Sequence, residues 1–316
     1  MKKVGWPFRS LLFVPAHREG WVTKACAVDP DALVLDLEDS VPPAEKAAAR
    51  PKVRASIAYL HTVGVGALVR INPLEEGGVE DVLAIVSEGL HGVCLPKLRD
   101  VGQIRRLADL LSYAEGQASI PHGSVAIVAI PETAEGLCDI RALAAASDRV
   151  KSFMSAIIDR IDDNAVFTGD TALAAGFIPT HEGYEQLYLV SKMCMESRAG
   201  GAPYPVATII GTDISDLDAA RKVAKRIKAI GFTGCVAIHP SHVAVANELF
   251  RPNKGEIEFS AGVINAMRAG EAEGLHAVRY RGMMIDAANL AIAQRTLEEA
   301  RNYGMPIPEL VLAVQR

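Results

Sequence analysis

The chain has 316 residues, of which half are hydrophobic and 22% are charged. That is enough apolar material for a large core, and it excludes a disordered or low-complexity protein. Thirty-three Lys+Arg against 38 Asp+Glu give a net charge of −5, so no broad basic field exists to hold nucleic acid. A small phosphorylated ligand needs only a local pair of basic residues and is not excluded.

The length suits two domains of roughly 150 residues, or one barrel of roughly 250 with an appendage. Five cysteines, Cys26, Cys94, Cys138, Cys194 and Cys235, lie far apart with no C-x-x-C pair. A zinc ribbon or dithiol site is therefore not expected, and the set reads as reduced thiols of a cytoplasmic protein. Pro7 and Arg9 interrupt the first apolar stretch, which argues against a signal peptide. No apolar run approaches the ~20 residues of a membrane span.

Short apolar runs recur along the chain. In order they are Leu11–Pro15, Ala32–Leu37, Ala67–Ile71, Gly92–Pro96, Val125–Pro131, Val150–Ile158, Pro205–Ile210 and Cys235–His239. Continuous runs of this length predict strands buried on both faces. Amphipathic stretches lie between most of them, including Pro43–Tyr59, Asp100–Glu115 and Asp216–Ile230. The last repeats Leu217, Ala220, Val223, Ala224 and Ile227 at helical spacing, with Gly231 placed to cap its C-terminus. Eight strands alternating with helices predict an α/β fold, a (β/α)8 TIM-type barrel over residues 1–250. A doubly wound open sheet is the runner-up, but the Gly-rich turn it needs after an early strand is missing. The long gap from Arg160 to Pro203 predicts an elaborated loop with a helix over Gly183–Arg198. Past Pro240 the pattern changes: helices are expected at Val243–Phe250, Glu256–Glu273 and Asp286–Tyr303, with no strand between the last two. Residues 251–316 are read as a C-terminal helical lid.

A barrel does its chemistry at the C-terminal ends of its strands. There the sequence places Asp36, Glu38 and Asp39, then Arg70 and Asn72, Lys97, Glu132 and Thr133, Asp159 and Arg160, and His239. Arg9 precedes the first strand. Carboxylates without Cys or His partners suit a hard cation such as Mg²⁺, and Glu132 and Asp159, on adjacent strand ends, are positioned to share one. Asp36 and Glu38 fall on one strand face and need a cation or arginine between them, with Arg9 and Arg70 the candidate partners. Asp36 reads equally as an acceptor for loop amides. An arginine in an apolar strand is costly without an anion, so Arg70 points to a carboxylate-bearing substrate, to an ion pair with Glu38, or to both. His239 is as consistent with a satisfied core position as with a site.

Arg9-Ser10-Leu11-Leu12-Phe13-Val14-Pro15, and Asp36-Leu37-Glu38-Asp39-Ser40-Val41 followed by Lys46 and Arg50, resemble the citrate lyase beta-subunit-like proteins of the HpcH/HpaI aldolase superfamily. Arg70 with Asn72, Pro96-Lys97, Glu132-Thr133, Ile238-His239-Pro240 and Gly282-Met283-Met284-Ile285-Asp286 resemble further blocks of that family in the same order. The resemblance implies a Mg²⁺-dependent barrel enzyme that makes or breaks a carbon–carbon bond beside a thioester, as in malyl-CoA or citryl-CoA. By the same resemblance Glu132 and Asp159 hold the metal, and Arg70 binds the acid or the developing enolate. Glu38 and Asp39 order water, while Arg9 and Lys97 position substrate or coenzyme A. Asp286 reaches a neighbouring subunit's site, so a homotrimer or hexamer is expected. Other readings of the same residues are a 2-keto acid aldolase without coenzyme A and a non-catalytic member. Two departures bear on the substrate. Ala16 follows Pro15 where the family has glycine, and Ser155-Ala156-Ile157-Ile158 replaces a block with glycine and an acidic residue.

Overall fold

The computed structural model describes residues 5–158, 169–180, 182–210 and 214–310. Eight parallel strands close into a barrel in sequence order: β1 (Ser10–Pro15), β2 (Ala32–Asp36), β3 (Gly66–Arg70), β4 (Leu90–Leu95), β5 (Ala126–Ala129), β6 (Val150–Ile158), β7 (Val206–Ile210) and β8 (Gly234–Ala237). Ser10 of β1 pairs with Cys235 of β8 and shuts the ring. Closure removes the open-sheet alternative. Each run predicted as a strand overlaps one; β6 matches its run, and the other strands differ from theirs by one or two residues at an end.

Among the described residues, ten α-helices belong to this part of the chain. They are α1 (Trp21–Cys26), α2 (Lys46–Val63), α3 (Gly78–Ile85), α4 (Val101–Ala118), α5 (Ala134–Cys138), α6 (Ile140–Ala145), α7 (Asp170–Ala175), α8 (Tyr184–Ala199), α9 (Leu217–Ile230) and α10 (Val243–Leu249). Local chemistry sets their ends. Asp100 accepts the Gly102 and Gln103 amides at the start of α4, and the Gln103 side chain returns a bond to the cap. Asp216 caps α9 and Gly231 ends it in the left-handed region, as the helical spacing predicts. The gap before β7 holds α7 and α8, the second where a helix is expected.

Strand alternation divides the core in two. Leu33, Leu35, Ile127 and Phe153 face outward among helix residues such as Ile57, Leu107 and Ile227. Leu11, Val34, Leu68, Val128, Met154 and Val236 fill the barrel interior over Phe8. Cys94 belongs to the interior set and Cys235 to the outer one, both as buried free thiols. This layered filling makes the barrel a packed body and not a pore.

The chain divides between Phe250 and Arg251. The second unit contains α11 (Lys254–Ala272), β9 (Val278–Tyr280), β10 (Met283–Ile285) and α12 (Ala287–Asn302). Its own core comprises Ile257, Ile264, Met267, Ile285 and Leu297, among others. The expectation of no strand between the two long helices is corrected here: β9 and β10 pair antiparallel. The turn joining them has positive φ at Arg281 (45°) and Gly282 (84°), the conformation that a tight two-residue hairpin demands. Three-residue strands carry too few residues for a visible two-residue period, so the helical pattern on either side hides them. Among the described residues, no helix is long and apolar enough to cross a membrane.

Candidate active site

A cavity of about 780 Å³ opens at the C-terminal ends of the barrel strands. Its size falls in the range of small-molecule sites, roughly 300–1,000 Å³. Asp36, Arg70 and Glu132 line it from β2, β3 and the end of β5, and Asp170 joins them from the first turn of α7.

Arg70 organises one wall. Its Nε donates to Asp36 Oδ1 at 2.7 Å and its Nη2 to Asp36 Oδ2 at 2.8 Å. Nη1 lies 3.0 Å from Glu38 Oε2 and 3.7 Å from Asp39 Oδ2. The guanidinium also rests over the Phe13 ring, 5.0 Å from its centroid. Such a planar, bidentate arrangement is specific to arginine. Asp36 serves the loop as well, accepting the Glu38 amide at 3.0 Å and the Ser40 amide at 3.2 Å. Both readings of Asp36 therefore hold at once. Burial alone would raise the Asp36 pKa, but Arg70 and the loop donors more than offset it and hold the carboxyl below its ordinary value.

Lys97 completes the cluster, with Nζ 2.8 Å from Glu38 Oε1 and 3.3 Å from Asp39 Oδ1. It is a non-glycine residue at φ 51°, a left-handed conformation that costs on the order of 1–2 kcal/mol. Such local strain is found where a side chain is held for a task. Gly136 lets the neighbouring turn pack closely: a Cβ there would sit 2.1 Å from the Leu98 carbonyl oxygen. Behind the wall, Asn72 donates to the Leu37 carbonyl at 3.0 Å and to Asp81 at 2.7 Å. Lys46 donates to Asn72, and Arg50 holds Asp81 at 2.8 Å. Lys46 and Arg50 thus brace the loop that carries Glu38 and Asp39.

Charge in this cluster does not balance. Two cations, Arg70 and Lys97, face three carboxylates, Asp36, Glu38 and Asp39, which leaves −1 before Glu132 is counted. Both Glu38 oxygens are buried and lack aligned hydrogen bonds despite their ion-pair distances. Burial, only partly offset by Arg70 and Lys97, leaves the Glu38 pKa raised. Glu132 is the extreme case. Its Oε2 is buried with no partner. Burial, then the Glu38 charge, pushes its pKa up to about 7 against the pull of Arg70. An unsatisfied buried carboxylate oxygen is costly and calls for an explanation such as a bound ion.

These oxygen donors fit Mg²⁺, which takes one or two protein carboxylates and keeps other positions for water and substrate. Asp159, the second predicted ligand, lies outside the described residues. Among the described residues, no group of three or more His, Cys, Asp or Glu is assembled as a metal cage.

Arg9 does not join this site, which corrects its placement from sequence. It precedes β1, at the opposite end of the barrel, and is 7% exposed. Its Nε and Nη2 donate to Asp31 at 2.9 and 2.7 Å. Asp286 is the N-cap of α12 and accepts from the Ala288 and Asn289 amides. His239 lines the cavity, with Nδ1 turned to Ser241. Sequence reasoning missed Asp170. The one signal for it was the Gly169-Asp170-Thr171 opening of a helical run, since an acidic residue in a first turn is ordinarily read as a dipole partner.

Residues 9–240 match the HpcH/HpaI aldolase/citrate lyase family. The chain is 30% identical to a citrate lyase subunit beta-like protein of Deinococcus radiodurans, over 92% of this chain and 96% of that protein. It is also 30% identical to the L-malyl-CoA/beta-methylmalyl-CoA lyase of Cereibacter sphaeroides, over 93% and 95% of the two chains. The structure of CitE from Mycobacterium tuberculosis, in complex with magnesium, acetoacetate and coenzyme A, superposes with a TM-score of 0.68 at 25% identity, covering 92% of this chain and 97% of that one. The chain belongs to the HpcH/HpaI aldolase/citrate lyase family. That membership places it among the lyases built on this barrel.

Proposed function

We propose that the protein is a Mg²⁺-dependent carbon–carbon lyase that cleaves or forms a hydroxyacyl-CoA thioester by retro-Claisen chemistry. The observation that carries this reading is Glu132: a buried, unpartnered carboxylate oxygen in the cavity, beside a cluster with surplus negative charge. The relatives add support, since their names include citrate lyase and malyl-CoA lyase and one related structure holds magnesium with coenzyme A.

Glu132 and Asp159 are the proposed metal ligands. Bound there, Mg²⁺ would act as a Lewis acid toward the hydroxyl and carboxylate oxygens of the substrate. Cleavage breaks the bond between the acyl α-carbon and the hydroxyl-bearing carbon. The hydroxyl loses its proton as the keto acid forms, and a proton is delivered to the α-carbon of the leaving acyl-CoA. The cavity-facing side of Arg70 stabilises the negative charge that develops between these events. Its bidentate tie to Asp36 fixes the guanidinium beforehand, so little reorganisation is needed. Glu38 and Asp39 orient water at the mouth, and Lys97 holds both in place. We assign proton transfer at the α-carbon to Asp286 of a neighbouring copy in a trimer or hexamer, with residues 251–316 acting as a lid.

A condensation assay read by mass spectrometry tests the reading. Protein with Mg²⁺ is given acetyl-CoA or propionyl-CoA together with glyoxylate or oxaloacetate. A hydroxyacyl-CoA product that disappears in Glu132→Gln is the expected result. No product from any pair, with Mg²⁺ binding demonstrated, would overturn it in favour of free keto-acid aldol chemistry or a non-catalytic role.

A further inference from the structure

A second cavity, of about 360 Å³, lies at the base of the barrel around the first residues of β4, β5 and β6. It is at the opposite end from the candidate active site. Two register shifts bring polar residues to it. Ala67 pairs with Leu90 but Leu68 with Gly92, which leaves His91 as an extra residue in β4. Ile127 pairs with Val150 but Val128 with Ser152, which leaves Lys151 as an extra residue in β6. Both extra residues line the cavity. A bulge of this kind breaks strand alternation and re-aims a side chain, and bulges gather at barrel rims and beside functional sites. The His91 ring also serves the ladder, since its Nδ1 accepts the Ala67 amide at 3.2 Å.

Trp6 forms another wall of this cavity. Its ring stacks on Tyr204, with centroids 6.0 Å apart and planes 6° apart, and tilts against Phe8 at 4.8 Å. The Tyr204 amide donates to the Lys151 carbonyl at 3.1 Å, which ties the indole to the strand that carries Lys151. An indole N–H can only donate, yet Trp6 Nε1 is buried with no acceptor among the described residues. The Lys151 ammonium likewise has no ion pair or hydrogen bond among the described residues. Arg149 lines the same cavity, but Glu115 already matches its charge. None of the lining residues is acidic, and Glu88, 4.0 Å from the lining His61, is largely exposed.

We propose that this cavity is a second ligand site, for a small organic monocarboxylate, with Lys151 as its counter-ion and Trp6 Nε1 as a hydrogen-bond donor to it. One cation without a partner matches one negative charge. A phosphate dianion would bring a second charge with nothing to pair it, which is costly away from water. Carboxylate oxygens accept from both donors at once, and such charge-assisted bonds are the stronger kind. Leu90, Ala126 and the Trp6 ring offer apolar surface to the body of the ligand. The volume is at the small end for ligand sites, roughly 300–1,000 Å³, and admits a carboxylate of about one ring. The site is independent of the lyase reading, because its residues and those of the mouth are different.

Trp6 and Trp21 are the two tryptophans of the chain, so Trp21→Phe leaves Trp6 as the one fluorescent indole. That protein is titrated with benzoate, its uncharged analogue benzamide, and inorganic phosphate. Benzoate is expected to shift the Trp6 emission saturably, and to bind on the order of tenfold tighter than benzamide or phosphate. Lys151→Met on this background is expected to weaken benzoate about tenfold or more while leaving benzamide and Mg²⁺ affinity unchanged, and Lys151→Arg to keep most of the benzoate affinity. Calorimetry of Trp6→Phe, which keeps a ring and removes the N–H, is expected to show a loss of about tenfold, and it supplies the test should Lys151→Met fail to fold. No saturable signal, phosphate binding tightest, benzamide binding as tightly as benzoate, or full benzoate affinity in Lys151→Met would each overturn the proposal. Benzoate binding that is lost in Arg70→Met and kept in Lys151→Met would place the carboxylate at the mouth and overturn it as well.

Discussion

Arginine–carboxylate pairs stand at both ends of the barrel and are completed to different degrees. At the base, Arg149 donates to Glu115 through Nη1 and Nη2 at 2.8 and 2.7 Å. Glu115 also accepts the Gly123 and Val125 amides, both at 2.9 Å, and Arg149 spends further donors on Ser112 and the Val125 carbonyl. Arg9 and Asp31 make a second bidentate pair at the same end. At the mouth, Arg70 is equally well tied to Asp36, yet Glu38 and Glu132 keep buried oxygens without hydrogen bonds. The same residue types therefore do two jobs. A buried charge whose every atom is satisfied holds structure, whereas one left incomplete marks a place prepared for something else.

The largest effect that would break this comparison lies at the base. Arg149→Met strands the Glu115 carboxylate, and removing one partner of a buried pair costs about 3–5 kcal/mol. Urea denaturation is expected to show that loss, with Mg²⁺ affinity of the remaining folded protein unchanged. Normal stability in the variant would mean that the base pair is not structural. Glu132→Gln is the mirror image. Turnover and Mg²⁺ binding are expected to fall by about a hundredfold or more, about 2.7 kcal/mol, while the melting temperature stays level or rises because an unpaired carboxylate is gone. Magnesium affinity retained in this variant would remove Glu132 from the metal site.

The two ends also titrate in opposite senses. Burial would raise the Glu115 pKa, but Arg149 and the amides overcome it and hold the value below 4.5. Its contribution to stability is present above that ordinary value and is lost as pH falls through the lowered one. Burial raises Glu132 instead, to about 7. Between about 4.5 and 7 the native state holds a proton that the unfolded state has released, so stability falls as pH rises. Denaturation of chelator-treated protein from pH 5 to 8 is expected to show this decline in the parent and less of it in Glu132→Gln. Matching curves for the two proteins would show that Glu132 does not titrate in this window.

Much of this architecture was legible in the sequence, and the exceptions have physical causes. Eight β-branched runs and their intervening amphipathic stretches predict the closed barrel because a strand covered on both faces has to be apolar throughout. Asp36, Glu38, Arg70, Lys97 and Glu132 were identifiable as polar endings on such strands. Arg70 was also a candidate partner for Asp36 and Glu38, and both contacts form; the bidentate geometry of its tie to Asp36 was not legible, because it depends on register between neighbouring strands. Arg9 was misplaced for a simpler reason. A residue that precedes a parallel strand lies at the base, however closely it adjoins a strand whose far end lines the cavity. The β9–β10 hairpin stayed hidden because three residues per strand are too few to display a period.

The smallest expected effect concerns Asp286, which has two separable roles. Its carboxylate caps α12, accepting from Ala288 at 3.0 Å and Asn289 at 3.3 Å, and the Asn289 side chain returns a bond to its amide. Asparagine caps a helix about as well as aspartate, whereas alanine costs about 1 kcal/mol. Asp286→Asn therefore keeps the helix end and removes the group proposed to move a proton. Turnover is expected to fall at least about tenfold, about 1.4 kcal/mol in barrier, with melting temperature and Mg²⁺ affinity held. Asp286→Ala is expected to lose the same turnover and additionally to destabilise the unit that holds α11 and α12. If Asp286→Asn turns over normally while Asp286→Ala only melts earlier, the residue is a cap and nothing more. If both lose turnover, mixing Asp286→Asn with Glu132→Gln decides where the carboxylate acts. Partial recovery in the mixture requires one copy to complete the site of another, while absence of recovery confines Asp286 to its own chain.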